Sequence, residues 1–212
     1  MMLSMEFILL SVVPLALAGR DAYTEKIFKM HNEYRQQLLE CKVDGQPAPK
    51  RMPQLIWDEE LASQAEAQAK SCTFYGNYPK SRRFKSVEQN IASCGSVEDV
   101  MKRWFSQHIS YNFKENKCLL RCDQYLKMVS ANTTHIGCAA YKCPSGEHYY
   151  ILAIVCNYGP GLRGIVRPYE AKNIDEVCPM KTTRVAVQPK HAQRRPTTST
   201  KKYNNRNKPR RN

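Results

Sequence analysis

The spacing of apolar positions predicts three helices in the first half of the chain. Residues 24–40 place apolar side chains at intervals of three or four, which is the period of a helix. Gly45 and several prolines interrupt this pattern, and a second helix follows Asp58, which can cap its first turn. A third follows Ser96, where Ser-Val-Glu-Asp forms a capping box. The positions predicted to face the core are Ile27, Met30, Tyr34, Leu38, Leu61, Ala65, Cys72, Val97, Val100, Met101, Trp104 and Phe105.

The second half of the chain changes to a strand-like pattern. Residues 87–93 predict a short strand, and residues 136–143 and 148–158 predict two more, which the Pro144–Glu147 turn joins into a hairpin. Residues 110–124 are predicted to form a long loop. Helices before and around an antiparallel hairpin indicate the α+β class, with helices packed on a small sheet.

The start of the chain and its cysteines predict a secreted, disulfide-bonded protein. The apolar run from Phe7 to Ala18 is too short to span a bilayer and ends in small residues, so residues 1–18 are predicted to be a signal peptide. All nine cysteines follow that segment. No CxxC pair or zinc-type histidine spacing occurs, which argues against a zinc site. The odd count leaves one thiol free or paired between chains, and Asn132-Thr-Thr is a candidate glycosylation site.

Most of the net charge of +14 comes from the end of the chain. Residues 181–212 contain 11 Lys or Arg and no acid, which leaves 22 basic against 19 acidic residues before them. With few apolar residues, this segment is predicted to be a disordered polybasic tail that binds sulfated glycans or anionic membranes, but no specific nucleic acid. The alternative is a solvated extension. The candidate polyanion-binding residues are Arg194, Arg195, Lys201, Lys202, Arg210 and Arg211.

Several motifs in a fixed order resemble one known family. They are HNEYR (31–35), MPQLIWDEELASQAEAQAKSC (52–72), QNIA (89–92), QYLKMVSANTTHIGCA (124–139) and VCNYGPG (155–161). Together they resemble the CAP superfamily of cysteine-rich secretory, antigen-five and pathogenesis-related proteins (SCP/TAPS). An insertion at residues 41–53 is similar to venom allergen-like proteins of parasitic flatworms. The resemblance covers residues 21–170, leaves 171–180 as a short Cys-containing extension, and implies an α-β-α sandwich.

The resemblance also implies a set of disulfides. Carried onto matching positions, the family's pairs are Cys72–Cys143, Cys138–Cys156 and Cys118–Cys122. Three cysteines remain, and Cys41–Cys178 is a fourth candidate pair that leaves Cys94 over.

The same resemblance implies a cleft with two His and two Glu that can bind a divalent metal, but here all four positions differ. They are Gly76, Gln89, Gln107 and Gln124. Glutamine supplies neither an anionic charge nor an imidazole lone pair. Glu88, His108 and His135 lie near in sequence, but each is displaced from its expected position. The expectation is therefore no metal, no cofactor and no catalysis, in a cleft that either drifted neutrally or was remade as a polar, uncharged pocket.

Two further groups of residues have alternative interpretations. Some family members bind sterols through an aromatic-bearing loop, to which Tyr111 and Phe113 correspond; an exposed aromatic pair there would suit a sterol, whereas the alternative is that both rings pack the loop down. His31, Asn32 and Arg35 form either a polar binding face or a buried brace between the first helix and the rest of the fold.

The function predicted from the sequence is that of a secreted, non-catalytic binding protein. Its domain ligand is expected to be a sterol or another lipid. The first alternative is an effector that binds a host receptor or enzyme and has no lipid role. The second is a metal-dependent hydrolase.

Overall fold

The fold is described from a computed structural model, which covers residues 20–75, 79–147, 149–162, 164 and 166–179. The described residues all belong to the first of two units, which divide after Lys181. The predicted signal peptide, Gly76 and the polybasic tail lie outside them. The helices are α1 Ala22–Leu39, α2 Glu59–Lys70, α3 Val97–Ser106 and α4 Asp123–Met128, and the strands are β1 Ile56–Trp57, β2 Glu88–Cys94, β3 Tyr111–Asn112, β4 Lys117–Cys118, β5 His135–Pro144 and β6 Tyr150–Gly159.

The central feature is a four-stranded sheet in the order β1-β5-β6-β2. The β5–β6 hairpin is antiparallel with Cys138 opposite Cys156, β2 pairs antiparallel with the other side of β6, and β1 pairs parallel with β5. A separate two-stranded sheet joins β3 and β4. Strand β2 is therefore at one edge of the central sheet, next to the cleft described below.

Both faces of the sheet are buried because alternate residues of β6 contact different helices. Leu152, Ile154, Cys156 and Tyr158 belong to the large core beneath α1 and α3. Ala153 and Val155 face a smaller core, in which small side chains of α2 pack closely on the strands. Helices on both sides of a mainly antiparallel sheet make the predicted α-β-α sandwich.

The helix caps agree with the sequence. The carboxylate of Asp58 accepts from Leu61 N–H at 3.0 Å, and Ser96 Oγ accepts from Asp99 N–H at 3.2 Å. The five predicted core positions of α3 are the five buried ones. In α2 the buried face includes Ala62 and Ala69, whereas Cys72 lies beyond the helix end. Among the described helices, none is long and apolar enough to cross a bilayer.

The predicted loop at 110–124 is wrong in part, because this segment contains short regular elements. A 3-10 turn at Gln107–Ser110 leads into the β3–β4 hairpin, and α4 begins at Asp123. These elements are too short to give a periodic apolar signal, and tertiary contacts hold them.

The HNEYR segment acts as a buried brace. Arg35 is buried and donates five hydrogen bonds to the carbonyls of Pro53, Met128, Ser130 and Thr133 at 2.8–3.3 Å. Burial lowers its pKa to about 10. It thus joins α1 to two loops, and this excludes the alternative that its guanidinium forms a binding face.

His31 continues the brace into the sheet. Its Nδ1 lies 2.8 Å from Ile27 O, which can only accept, so Nδ1 carries the proton. Nε2 then accepts from the Tyr158 hydroxyl at 2.8 Å, and that oxygen accepts from Asn90 Nδ2 at 3.1 Å. Burial lowers the pKa of His31 to about 4, which keeps the ring neutral.

Four disulfides hold the ends of these elements. They are Cys41–Cys178, Cys72–Cys143, Cys118–Cys122 and Cys138–Cys156, the pairings expected from the family resemblance and the remaining cysteines. Cys41–Cys178 attaches the C-terminal segment to the loop after α1, where Gly45 N donates to Cys178 O and Cys178 N to Gln46 O. The sulfurs of Cys138 and Cys156 lie near His31, but the disulfide and the hydrogen bonds of the ring exclude a metal site there.

Candidate functional site

A cleft of about 430 Å³ runs beside the free edge of β2. The strand provides one wall, and the other is made by α3 and by the segment that enters α4. The lining residues are Phe74, Gln89, Asn90, Ile91, Ala92, Ser93, Arg103, Trp104, Arg121, Asp123 and Gln124.

The glutamines at and next to the cleft are hydrogen-bonded to other parts of the fold, and Gln107 and Gln124 are bonded to each other. Gln107 Nε2 donates to Gln124 Oε1 at 2.6 Å, and Gln107 Oε1 accepts from the backbone N–H groups of Gln124 and Tyr125 at 3.0 and 3.3 Å. Gln107 therefore satisfies two N–H groups at the start of α4. Gln89 Nε2 donates to Asn157 Oδ1 at 2.9 Å. These amide N–H groups fasten elements together, whereas Gln89 Oε1 is buried without a hydrogen-bond partner among the described residues.

The edge of β2 is covered partly by side chains of α4. Lys127 Nζ donates to Gln89 O at 3.0 Å and Gln124 Nε2 to Ile91 O at 3.5 Å. The Lys127 ammonium also lies 3.6 Å from a carboxylate oxygen of Asp123 and 3.9 Å from one of Glu88. Side chains that occupy an edge in this way reduce its tendency to pair with another strand.

Charged residues line the cleft although its glutamines are neutral. Arg103, Arg121 and Asp123 all contribute to the wall. Of the two interpretations of the cleft, the polar, uncharged pocket does not agree with this lining. The charges come from residues outside the family positions, which only the fold brings together.

The residues considered as substitutes do not line this cleft. His108 Nδ1 lies 2.9 Å from Phe105 O, and its ring is near those of Phe105 and Tyr125. His135 begins β5, opposite Ile56 of β1 and Gly159 of β6, and its ring lies near Arg83 and Thr134. In the described part of the cleft, Asp123 is the one carboxylate of the lining and no imidazole joins it.

Known proteins have sequences similar to that of this domain. The sequence model of the cysteine-rich secretory protein family, CAP, matches residues 28–158. The chain belongs to the CAP family. It is 31% identical over 171 residues to GLIPR1-like protein 1 of Mus musculus and 35% identical over 149 residues to venom allergen 5 of Vespa magnifica. These matches cover 76% and 64% of this chain, and 69% and 65% of the relatives, so the chain spans about two thirds of their length.

A solved CAP structure supports the same placement. Venom allergen-like protein 4 of Schistosoma mansoni is 36% identical, with a TM-score of 0.67, and the match covers 74% of this chain and 99% of that one. These relatives are a venom allergen, a venom allergen-like protein and a GLIPR1-like protein. The CAP relationship agrees with the disulfide-bonded α-β-α sandwich.

The loop that could bind a sterol in this CAP domain does not expose its two aromatic rings. Tyr111 and Phe113 are each 3% exposed, so they are not an exposed aromatic pair. Tyr111 donates to Asn116 Oδ1 at 2.7 Å, and Phe113 packs on Tyr169 with ring centroids 4.6 Å apart. Burial raises the pKa of Tyr111 to about 12. Both rings pack the loop onto the core, which was the alternative interpretation.

Sequence reasoning missed a different feature of the same loop. Ile109, Leu119 and Leu120 are 76–80% exposed, and we call them the aliphatic patch. Leu119 N donates to Ser110 O at 2.7 Å, next to the Tyr111–Cys118 pair, so the three residues lie at one end of the β3–β4 hairpin. The sequence signal was the pair of leucines inside CLLRC, a loop too short to bury them.

The candidate glycosylation site is accessible. Asn132 is exposed in a turn beside a groove of about 450 Å³, whose wall includes Arg51 and Arg167. The polyanion-binding candidates of the tail lie outside the described residues.

Proposed function

We propose that this CAP protein is secreted and non-catalytic, and that its domain binds a sterol or another lipid through the aliphatic patch. The observation that carries the lipid assignment is the exposure of Ile109, Leu119 and Leu120 at one end of the β3–β4 hairpin, where the Cys118–Cys122 disulfide closes the loop that carries the leucines. Exposed apolar side chains that are grouped on a surface indicate an interaction site, whereas single scattered ones are ordinary. The patch replaces Tyr111 and Phe113 as the contact surface of the loop.

The cleft supports the non-catalytic part of the proposal. Metal-assisted hydrolysis requires ligands for the ion and a base near the attacking water. Gln89, Gln107 and Gln124 provide neither. The Gln89 amide is bonded to Asn157 of β6, whereas Gln107 and Gln124 join the end of α3 to α4, and Gln124 joins α4 to β2. A hydrolase would have to use Asp123, which shares its carboxylate with Lys127 and Arg121.

Binding of labelled cholesterol by the secreted chain, with unlabelled sterol as competitor and without a bilayer, tests the ligand. We expect saturable binding that is weakened roughly tenfold or more in a Leu119→Ser, Leu120→Ser variant, because apolar area is removed from the contact. Ile56→Ser, at another exposed aliphatic position, is the matched control. Absence of saturable binding in folded wild type would overturn the assignment.

An effector that binds another protein is the second candidate, and a specific surface favours it. Tyr149 and Tyr150 are 78% and 55% exposed at the tip of the β5–β6 hairpin. Tyrosine is enriched at protein interfaces. Cell binding that is lost in a Tyr149→Ala, Tyr150→Ala variant and kept in the leucine variant would support this candidate over the lipid assignment.

For the tail we propose binding to sulfated glycans or anionic membranes, since residues 181–212 carry 11 basic residues and no acid. Retention on heparin should fall steeply with salt, because binding releases counterions. Replacing Arg194, Arg195, Arg210 and Arg211 by Gln should reduce both the retention and its salt dependence. Unchanged retention would contradict the proposal.

A further inference from the structure

The aliphatic patch projects outward and does not enclose a space. A cavity that binds a small ligand covers most of the ligand surface with concave walls. Side chains that are 76–80% exposed can cover only one face of a lipid molecule and leave the rest of its surface in water. They are suited to a larger apolar phase that covers them from outside.

The loop that carries the two leucines is held from both sides. The Cys118–Cys122 disulfide closes it, and Cys122 is buried in the large core. On the other side, Leu119 N is bonded to Ser110 O. The leucines are thus presented without packing of their own, and little conformational freedom remains to be lost when they become buried.

Basic residues flank the leucines directly. Lys117 precedes the loop and Arg121 follows Leu120, and both are exposed. Of the acids nearby, Asp123 lies 3.6 Å from the Lys127 ammonium and 3.9 Å from the Arg121 guanidinium, so its charge is largely compensated. The same chain carries the basic segment 181–212. An aliphatic tip between cations matches the apolar interior and the anionic head groups of a lipid surface.

We propose that the aliphatic patch inserts into the interfacial layer of an anionic bilayer, while Lys117 and Arg121 contact lipid head groups. The inference rests on the lipid-binding function proposed above and identifies the bilayer as the place where the protein meets its lipid. Insertion of a few aliphatic side chains gives weak, reversible attachment, and a basic segment on the same chain adds a second contribution. The two contributions should act independently, because one depends on apolar area and the other on charge.

Co-sedimentation of the full chain with sterol-free vesicles tests the proposal. One set of vesicles is phosphatidylcholine alone and the other contains about 30% phosphatidylserine, both at about 0.15 M salt. The variants are Leu119→Ser, Leu120→Ser for the patch and Lys117→Gln, Arg121→Gln for its flanks, with Ile56→Ser as the control. A Leu120→Trp variant reports insertion by a blue shift of its emission and by quenching with brominated lipid.

We expect the leucine variant to lose roughly tenfold or more of its partitioning on both vesicle types, because it removes apolar area. The flank variant should lose affinity only for the anionic vesicles, and the Ile56 variant should match wild type. Equal partitioning of wild type and the leucine variant, or an unshifted Leu120→Trp emission, would overturn the proposal. So would a dimer in solution that the leucine variant dissociates, since the patch would then be a self-association surface.

The vesicle experiment and the sterol-binding experiment can give different results, so the two proposals are tested separately. Sterol binding without a bilayer reports on ligand capture alone, and partitioning to sterol-free vesicles reports on docking alone. Capture without docking would overturn the inference and leave the proposed function, whereas docking without capture would exclude the sterol as ligand and leave binding to bilayer lipid through the aliphatic patch.

Discussion

Replacement of Arg35 by alanine should destabilise the fold more than an ordinary surface substitution. The guanidinium donates five hydrogen bonds to four carbonyl oxygens, and no carboxylate is among those partners. Bonds from a charged donor contribute about 1.5–3 kcal/mol each. Burial of the charge opposes them by about 3 kcal/mol, as the lowering of the Arg35 pKa to about 10 indicates. At the lower end of that range the five bonds outweigh the burial cost by about 4–5 kcal/mol, so we expect Arg35→Ala to lower the free energy of unfolding by at least about 4 kcal/mol.

A lysine at the same position should recover part of this loss. The lysine ammonium has its three donors on one nitrogen atom. It therefore cannot bond to the Pro53 carbonyl and to the carbonyls of residues 128–133 at the same time, as the wider, planar guanidinium does. We expect Arg35→Lys to cost about half as much as Arg35→Ala.

Urea unfolding with the disulfides intact, extrapolated linearly to water, measures both variants. Arg51→Ala is the control, because Arg51 is exposed in the loop that follows the same helix. A loss below about 1.5 kcal/mol for Arg35→Ala would refute the reasoning, since it would mean that water replaces the guanidinium at the carbonyls at little cost.

Three further predictions concern other parts of the fold. Because the pKa of His31 is about 4 when folded and near 6.5 when unfolded, stability should fall by about 3 kcal/mol as the pH drops from 6.5 to 4, and a His31→Asn variant should show a flatter pH profile by urea unfolding. Removal of Cys41–Cys178 by alanine substitution should cost about 4 kcal/mol in the same assay, because the other disulfides shorten the loop it closes to about 60 residues; a loss below about 1 kcal/mol would contradict the loop-entropy argument. Gly137→Ala should abolish folding or cost more than about 3 kcal/mol, since its Cβ would lie 2.1 Å from Ala62 N, whereas Gly95→Ala, with open space around it, should keep a thermal midpoint near that of wild type.

The sequence predicted those elements whose apolar pattern is long enough to specify a face. Helix α3 is the clearest case, because its capping residue and all its buried positions follow from the 3.6-residue period. Strand β1 and helix α4 have two and six residues, and they form because neighbouring elements hold them. Pattern reasoning cannot detect such elements.

The site was less predictable than the fold for a related reason. The residues at the four family positions can be read directly from the sequence. The arginines of the cleft wall could not be predicted in this way, because they come from helix α3 and from the segment before α4, which only the fold brings together. The exposure of Tyr111 was predicted from a motif, yet its ring packs near Tyr125 in the core. Side-chain burial in a loop depends on contacts distant in sequence, which a local motif does not encode.

The amide network has a consequence for how this domain can change over generations. A substitution that returned an imidazole to position 124 alone would remove the amide oxygen that Gln107 donates to and the amide that reaches Ile91 O. A carboxylate at position 107 alone would lose the donor to Gln124 and place a negative charge against the Gln124 amide oxygen. Each of these single substitutions would therefore weaken the contacts that hold α4 to its neighbours. Positions 107 and 124 are thus less tolerant of change than the exposed loops, because their side chains connect elements of the fold.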